Sequence, residues 1–306
     1  MERNVGLFNE SFPPVMDGVA VCVENYAHWI QEKVGGVSVV TPRKLGAHYS
    51  QYPYEVLDYA SVPVPFRHPY VTGIAQIDPL LRAKLRRRQF KIVHAHSPFS
   101  AGLMALQVAR SQRIPLVATF HSKFKDDFRE VIPSDMVVDQ AIKVVMEFFD
   151  HADEVWVPQA SVEEVIREYG FKGHVEVVDN GSDLVADYPD SYFEEARRAL
   201  GIAPGEFVFL FVGQHIWQKN VRLVIDALEQ IKDLPFRMFF VGTGYAAGEM
   251  KELVEQKGLS DKVTFTGMLT DRAEVTRYYA AADLFLFPSM YDNAPLVVRE
   301  AAALHT

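Results

Sequence analysis

The chain has 306 residues, 49% of them apolar, and a formal net charge of −9 at pH 7. This composition supplies enough apolar side chains for two medium-sized α/β cores, while the acidic balance excludes the broad positive surface that nucleic-acid binding requires. Cys22 is the single cysteine, which excludes an intrachain disulfide and a thiolate-rich zinc site and indicates a reducing compartment.

Short apolar runs alternate with longer amphipathic stretches through the first half of the chain. This rhythm is that of a parallel sheet with helices on both faces, so it predicts an α/β fold. Helices are predicted at residues 19–33 and 102–111. The predicted strands are residues 5–8, 37–41, 92–94, 116–120, 154–157 and 175–178.

The turn-rich cluster from Asp179 to Asp183 ends this first series of strands. We therefore predict an N-terminal domain of residues 1–180 and a C-terminal domain of residues 181–306. Because a complete second α/β domain needs further strands after the helix that begins near Leu296, we expect the C-terminal domain to be truncated. Its predicted strands are residues 207–212, 237–241, 262–266 and 284–287.

The segment of residues 287–300 is the most informative for function. A strand ends, a polar loop follows, and Pro295 stands where the first turn of a helix accepts proline. A helix N-terminus at the carboxyl end of a strand is where ligands bind in open α/β sheets, and it favours phosphate or hydroxyl oxygens. Asp292 and Glu300 could then accept hydrogen bonds from sugar or ribose hydroxyls. The alternative is a helix cap and a surface glutamate.

Two other loops that follow strands carry candidate ligand-binding residues. Lys219 lies near a helix start and could neutralise a diphosphate without any metal, although a solvated surface lysine is the alternative. Gly18 would let the backbone approach a ligand closely just before the first helix, although a single glycine in a turn is weak evidence.

Three histidines, His94, His96 and His121, stand at predicted strand ends. They could be read as a metal site, but no matching carboxylate or cysteine cluster completes one, so we predict no metal and favour contact with a sugar or acceptor. For His94 in particular, simple packing is the alternative. The run from Gly242 to Ala247 matches a dinucleotide fingerprint only weakly, because no acidic residue follows at the next strand end, so no nicotinamide or flavin cofactor is expected.

The segment from Arg82 to Lys91 is basic within an otherwise acidic chain. Such a patch could rest on an anionic membrane surface, and a solvated helix face is the alternative. No apolar run approaches the roughly 18 residues that span a bilayer. The strand that begins at Val5 leaves no room for a signal peptide. We expect a cytoplasmic protein that could lie at the inner face of the membrane.

In their order along the chain, these segments resemble the motifs of retaining glycosyltransferases of family 4 (group 1). The resemblance covers nearly the whole chain and implies the GT-B fold, in which two Rossmann-like domains with parallel sheets face a central cleft. The matching segments are Phe12 to Val19, His94 to Phe99, Thr119 to His121, Asn180 to Asp183, Val212 to Lys219 and Asp292 to Glu300.

The resemblance also implies a role for each matching residue. Glu300 would hold the donor ribose, Lys219 the diphosphate, and His121 the sugar or acceptor, while the loop of Gly18 would lie under the diphosphate. Asp292 and the backbone that follows would hold the transferred sugar. The remaining donor-binding residues implied in this way are Gln214, Gly267, Met268, Asn293, Ala294, Pro295, Leu296 and Val297.

Three departures from the family pattern concern the donor site. The family arginine beside Gly213 is Gln214, which removes one positive charge. The first signature glutamate is the shorter Asp292, and the family's Phe-Gly is Ala294-Pro295, which removes one backbone donor.

We therefore expect transfer of a sugar from a nucleoside-diphosphate sugar, UDP-glucose-like by family frequency, to an acceptor hydroxyl of a glycan, lipid or small molecule. Retention of configuration is implied by the family, and neither a metal nor another cofactor is expected. Two alternatives remain open: a catalytically inactive nucleotide-sugar-binding fragment, and a GT-B epimerase or phosphorylase that acts on related ligands.

Overall fold

The computed structural model describes residues 4–15, 17–64, 70–182, 184, 188–290 and 292–306. Met16, Asp183 and Tyr291, which belong to the motifs above, lie outside the described residues. The chain divides into two compact units, Met1–Gly181 and Ser182–Thr306. The sequence had suggested a boundary one residue earlier, after Asn180.

The first unit is a parallel sheet of seven strands in the order β3-β2-β1-β6-β7-β8-β9, with a separate antiparallel pair formed by β4 and β5. Its strands are β1 Val5–Phe8, β2 Val37–Pro42, β3 Glu55–Tyr59, β4 Ser61–Pro63, β5 Val71–Gly73, β6 Ile92–Ala95, β7 Leu116–Thr119, β8 Glu154–Val157 and β9 Glu176–Val177. Its helices are α1 Gly18–Lys33, α2 Pro79–Arg87, α3 Ser100–Gln112, α4 Phe124–Arg129, α5 Asp135–Phe149 and α6 Ala160–Glu168.

The second unit is a parallel sheet of four strands in the order β12-β11-β10-β13. Its strands are β10 Phe207–Val212, β11 Phe236–Val241, β12 Val263–Gly267 and β13 Leu284–Phe285. Its helices are α7 Asp190–Ala199, α8 Val221–Gln230, α9 Ala247–Gln256, α10 Arg272–Ala281 and α11 Leu296–Ala303. Together the two sheets confirm the predicted α/β architecture.

The central strands are apolar on both faces because helices cover both sides of each sheet. All six residues of β2 are buried, as are the last three of β1 and of β10. Parallel strands buried on both faces read as continuous apolar runs, which is why sequence patterning located them. None of the described helices is both long enough and apolar enough to cross a membrane.

The strands missed from the sequence are β3, β4 and β5. β3 lies at the edge of its sheet and only Leu57 and Tyr59 of its residues are buried, while β4 and β5 have no buried residue. Such strands carry a weak apolar signal because solvent covers one side. The predicted strands at residues 175–178 and 284–287 are shorter in the structure, at two residues each.

In each sheet the chain order reverses at one point. In the first unit β1 lies between β2 and β6, and in the second β10 lies between β11 and β13. The reversal therefore falls between β1 and β6 in the first sheet and between β10 and β13 in the second. The loops that follow two such strands diverge to opposite faces of the sheet, which opens a crevice at the carboxyl ends of the strands. Among the candidate residues, His96 follows β6 in the first unit, while Lys219 follows β10 and Asp292 follows β13 in the second.

Candidate functional site

An ion pair joins the two loops at the reversal point of the second unit. The Lys219 ammonium, after β10, donates to both carboxylate oxygens of Asp292, after β13, and its distance to Oδ2 is 2.6 Å. The two side chains are only 14% and 21% exposed. The surface-lysine interpretation is therefore wrong. The structure brings together two residues with separate predicted roles, Lys219 for the diphosphate and Asp292 for the transferred sugar.

Local geometry explains why Lys219 points into this loop. Residues Trp217–Lys219 form a single 3-10 turn, which ends at Asn220 in the left-handed region, with φ of 54°. Asparagine tolerates that conformation better than most residues, so the chain can reverse there and start α8. The ammonium also lies 5.6 Å from the ring centroid of Phe287, which supplies a cation–π contact.

The N-terminus of α11 adjoins this ion pair in sequence. Pro295 occupies the N-cap in an extended conformation and provides no side-chain cap. The prediction that Pro295 lies in the first turn was therefore wrong by one residue, because the helix begins at Leu296. Pro295 offers no capping side chain to the first-turn N–H groups, which include those of Leu296 and Val297, and the helix dipole adds partial positive charge there. Asn293 and Ala294 lie on the loop that enters the helix. This end of the helix suits phosphate or hydroxyl oxygens.

Glu300 lies one turn further into α11 and is 4% exposed, so the surface-glutamate alternative is wrong. Its Oε1 accepts from Arg272 Nη2 at 2.7 Å and its Oε2 accepts from the Tyr279 hydroxyl at 2.8 Å. Burial and the neighbouring carboxylate hold the pKa of Tyr279 well above its usual range, so the phenol stays a donor. Because each carboxylate oxygen has two lone pairs, Glu300 can still accept from a ligand hydroxyl.

Arg272 and Tyr279 were not among the residues predicted for the site. The two residues are seven apart on α10, which is two helical turns, so they share one face. That spacing was available from the sequence, but it could not indicate which carboxylate the face would meet.

The other residues of this unit that were predicted to bind the sugar donor lie at the carboxyl ends of its strands. Gln214 comes two residues after β10 and is partly buried. Gly267 ends β12 with φ of 77°, and a Cβ atom there would meet nothing within 4 Å. Met268, the next residue, is 54% exposed. The open space above Gly267 is what close approach of a planar ligand requires.

Packing between loops accounts for the glycines of the weak dinucleotide fingerprint. A Cβ atom on Gly242 would lie 2.0 Å from the carbonyl oxygen of Gly213, and one on Gly244 would lie 2.3 Å from that of His215. These glycines therefore allow the loop after β11 to pack against the loop after β10. The imidazole of His215 is buried among Phe211, Phe240 and Phe265, and burial together with nearby Lys251 lowers its pKa to about 4.

In the first unit, Gly18 opens α1 and has nothing within 4 Å of the position of a Cβ atom. The preceding Asp17 caps the helix, because its carboxylate accepts from the N–H groups of Val19 and Ala20 at 3.0 and 2.8 Å. Burial raises the pKa of Asp17, and these hydrogen bonds oppose that effect. The space above Gly18 remains open to a ligand, although Asp17 already occupies two N–H groups of the turn.

The three histidines cluster at the reversal point of the first sheet. His94 Nε2 lies 2.7 Å from Thr119 Oγ1, and His96 Nδ1 lies 3.0 Å from His121 Nε2. Burial lowers the pKa of His94 to about 3 and that of His121 to about 4, so all three rings are neutral near pH 7. Cys22 on α1 lies beside His96 and His121, a proximity that the sequence did not indicate.

The sequence matches two family patterns that together cover most of the chain. The pattern described as Glycosyltransferase Family 4 matches residues 16–185, more than half of the chain, and Glycosyl transferases group 1 matches residues 192–306. Solved structures that resemble this one include GT-B glycosyltransferases, which supports the GT-B fold. The chain belongs to Glycosyltransferase Family 4.

Two curated relatives match almost the whole chain. The alpha-monoglucosyldiacylglycerol synthase of Streptococcus pneumoniae is 24% identical, over 99% of this chain and 69% of its own length. The enzyme of the same name from Acholeplasma laidlawii is 25% identical, over 98% of this chain and 78% of its own length.

Two solved structures support the fold. Sucrose-phosphate synthase from Thermosynechococcus elongatus has a TM-score of 0.80 at 20% identity, over 99% of this chain and 80% of its own. Anabaena HepE, solved with UDP-glucose, has a TM-score of 0.74 at 18% identity, over 98% of this chain and 78% of its own. The predicted GT-B fold is confirmed.

Proposed function

We propose that this glycosyltransferase moves a hexose from UDP-glucose or a closely similar donor to an acceptor hydroxyl, with retention of configuration and without a metal ion. The observation that carries this proposal is the Lys219–Asp292 pair at the reversal point of the second sheet, close in sequence to the N-terminus of α11, where Pro295 provides no capping side chain. One HepE structure contains UDP-glucose, which supports the choice of donor.

In this proposal, Lys219 and the N–H groups at the start of α11 receive the donor diphosphate. An ammonium has three N–H groups. A bidentate contact with Asp292 uses at most two of them, so one remains for a phosphate oxygen. As negative charge grows on the departing diphosphate, the ammonium and the helix dipole stabilise it without a metal ion. The carboxylates of Asp292 and Glu300 accept from sugar and ribose hydroxyls.

Retention follows if the acceptor hydroxyl attacks from the face that the diphosphate leaves. Its proton then passes to a phosphate oxygen of the leaving group, so the protein needs no separate general base. His121, neutral near pH 7, contacts the sugar or the acceptor as a hydrogen-bonding group. Transfer should therefore keep its full rate when a chelator removes divalent ions.

Calorimetry with UDP, GDP and their glucose, galactose, N-acetylglucosamine and mannose conjugates tests the donor. Binding of UDP-glucose with micromolar Kd, and transfer to an added acceptor, is the expected result. If the chain binds GDP-mannose alone, the proposed donor is wrong. Conversion of the nucleotide sugar with no acceptor present would identify an epimerase, and binding without turnover would identify an inactive relative.

Gln214→Arg is expected to tighten binding of the nucleoside diphosphate about tenfold, because a charged donor replaces a neutral one at the carboxyl end of β10. Calorimetry with UDP measures the change. Gln230→Arg adds the same charge at the last residue of α8, the end of that helix away from the loop of Gln214, and should have no effect. Equal affinities for the two variants would contradict the position proposed for the diphosphate.

A second proposal concerns the acceptor: we propose that it is a lipid hydroxyl at an anionic membrane surface. The supporting feature is α2, whose Leu81 and Leu85 point into the core while four basic residues stay exposed beside apolar side chains. The exposed basic residues are Arg82, Lys84, Arg86 and Arg87, and the exposed apolar ones are Ile74, Ile77 and Leu80. Such a surface combines insertion into the headgroup region with attraction to acidic lipids. The two curated relatives are named for a diacylglycerol product.

Changing Arg82, Lys84, Arg86 and Arg87 together to glutamine is expected to weaken binding to vesicles that contain phosphatidylglycerol at least about tenfold, since each basic residue near such a surface contributes about 1 kcal/mol. Sedimentation of phosphatidylcholine vesicles with and without phosphatidylglycerol measures it. The matched control changes four exposed basic residues elsewhere, Arg110, Lys143, Lys172 and Lys232, to glutamine. If both variants lose binding equally, only total charge matters and α2 is not the contact.

A further inference from the structure

Three potential metal ligands meet inside the first unit, from three separate elements. Cys22 comes from α1, His96 follows β6, and His121 follows β7, and one ligand atom of each lies within 4.8 Å of the other two. The side chains are 0%, 2% and 9% exposed. Burial of three such groups together is unusual unless something satisfies their hydrogen-bonding capacity.

That capacity is not fully used. His96 Nδ1 and His121 Nε2 face each other at 3.0 Å, whereas the other ring nitrogen of His96, Nε2, is buried and has no hydrogen-bond partner among the described residues. Cys22 Sγ lies 3.2 Å from Asn180 Oδ1, and a thiol is a weak donor. A buried imidazole nitrogen without a partner normally has an explanation, and an ion that belongs there is one.

We propose that Cys22, His96 and His121 form a binding site for a divalent ion of the zinc class, with Cys22 Sγ and one nitrogen of each histidine as ligands. One thiolate and two imidazoles suit a borderline-soft ion, whereas Mg²⁺ and Ca²⁺ prefer oxygen ligands. Three protein ligands leave the fourth tetrahedral position open to water or to a hydroxyl.

The chemistry and the distances are consistent with this assignment. A neutral imidazole offers a lone pair to a metal ion, and Cys22 binds by losing its thiol proton to solvent as the sulfur–metal bond forms. The net charge of the ion with one thiolate is +1, which lowers the cost of burying it. Zinc holds neighbouring nitrogen and sulfur ligands roughly 3.4–3.6 Å apart, so side-chain shifts of about 1 Å assemble the site.

The ion would inhibit transfer, because it coordinates the ring nitrogen through which His121 is proposed to contact the sugar or the acceptor. This consequence rests on the proposed function, whereas binding of the ion does not. It is also separate from the donor chemistry, for which no metal is proposed.

Titration of the full chain with Co²⁺ tests binding without any activity measurement. One equivalent should produce the visible d–d bands of a tetrahedral ion and a near-ultraviolet thiolate-to-cobalt charge-transfer band, and one equivalent of Zn²⁺ should remove both. Cys22→Ser keeps a hydroxyl for Asn180 and should lose the charge-transfer band. Its affinity for Co²⁺ should fall more than about 100-fold, since loss of a residue that only supports a metal ligand already costs about 10–100-fold. His174→Asn, which changes an exposed histidine, should titrate like the native chain.

Absence of the charge-transfer band in the native chain, or its persistence in Cys22→Ser, would overturn the site. X-ray absorption of the native chain loaded with Zn²⁺ needs no variant: one sulfur at about 2.3 Å and two nitrogens at about 2.0–2.1 Å support the site, and a sulfur-free shell refutes it. Equimolar Zn²⁺ should inhibit the native chain and spare Cys22→Ser. Binding without inhibition would uphold the site and contradict the role proposed for His121.

Discussion

Lys219→Met is expected to lower the rate of sugar transfer about 10²- to 10³-fold, the loss typical when one preorganised donor to a developing anion is removed. The Lys219 side chain is 14% exposed and its ammonium engages both oxygens of Asp292, so the ammonium is held in place before the donor arrives. Initial rates at saturating donor and acceptor measure the effect on the chemical step.

Lys257→Met is the matched control. Lys257 belongs to the same unit, is 18% exposed and pairs with two carboxylates, those of Asp226 and Glu229. Its loss should leave the rate within about twofold of the native value, since surface ion pairs contribute little. A comparable rate loss in both variants would show that Lys219 acts only through the stability of its unit.

Asp292→Asn separates binding of the diphosphate from binding of the sugar. If Lys219 receives the diphosphate, the variant should bind UDP as tightly as the native chain or more tightly, because an anion that competes for the ammonium is gone. The same variant should transfer sugar slowly, because Asp292 is proposed to accept from the sugar hydroxyls. Weaker binding of UDP itself would indicate that the ion pair only supports the loop.

Glu300→Ala is expected to raise the Kd of the nucleotide-sugar donor about 10- to 100-fold, since hydrogen bonds to a charged acceptor contribute about 1.5–3 kcal/mol. It should also lower the Tm, because the hydroxyl of Tyr279 and the guanidinium of Arg272 lose their acceptor. Calorimetry and thermal unfolding measure the two effects on the same samples.

Tyr279→Phe distinguishes a ligand-binding role of Glu300 from a structural one. It removes one hydrogen bond to Glu300 at a cost of about 1 kcal/mol in stability and leaves both the carboxylate and Arg272. Donor affinity should stay close to the native value. If Tyr279→Phe weakens donor binding as much as Glu300→Ala does, Glu300 serves the fold and not the ribose.

Where sequence patterning succeeded, the reason was burial. Strands such as β1 and β10 were predicted with the bounds that the structure has, because helices cover both of their faces and leave continuous apolar runs. The edge strand β3 was missed for the opposite reason, since Glu55 and Asp58 interrupt its apolar residues. The short β13 was predicted too long, because the apolar run continues beyond its last sheet hydrogen bond.

For the candidate site, the sequence by itself determined which loops follow strands and which residues stand on them, because strand and helix periods are local properties of the chain. Only the tertiary structure decided the partners. Lys219 meets Asp292, 73 residues away, because β10 and β13 are neighbours at the point where strand order reverses. Glu300 meets two residues of α10, and Cys22 meets two histidines, for the same physical reason. Contacts between distant segments depend on strand order and helix packing, which no local pattern of residues encodes.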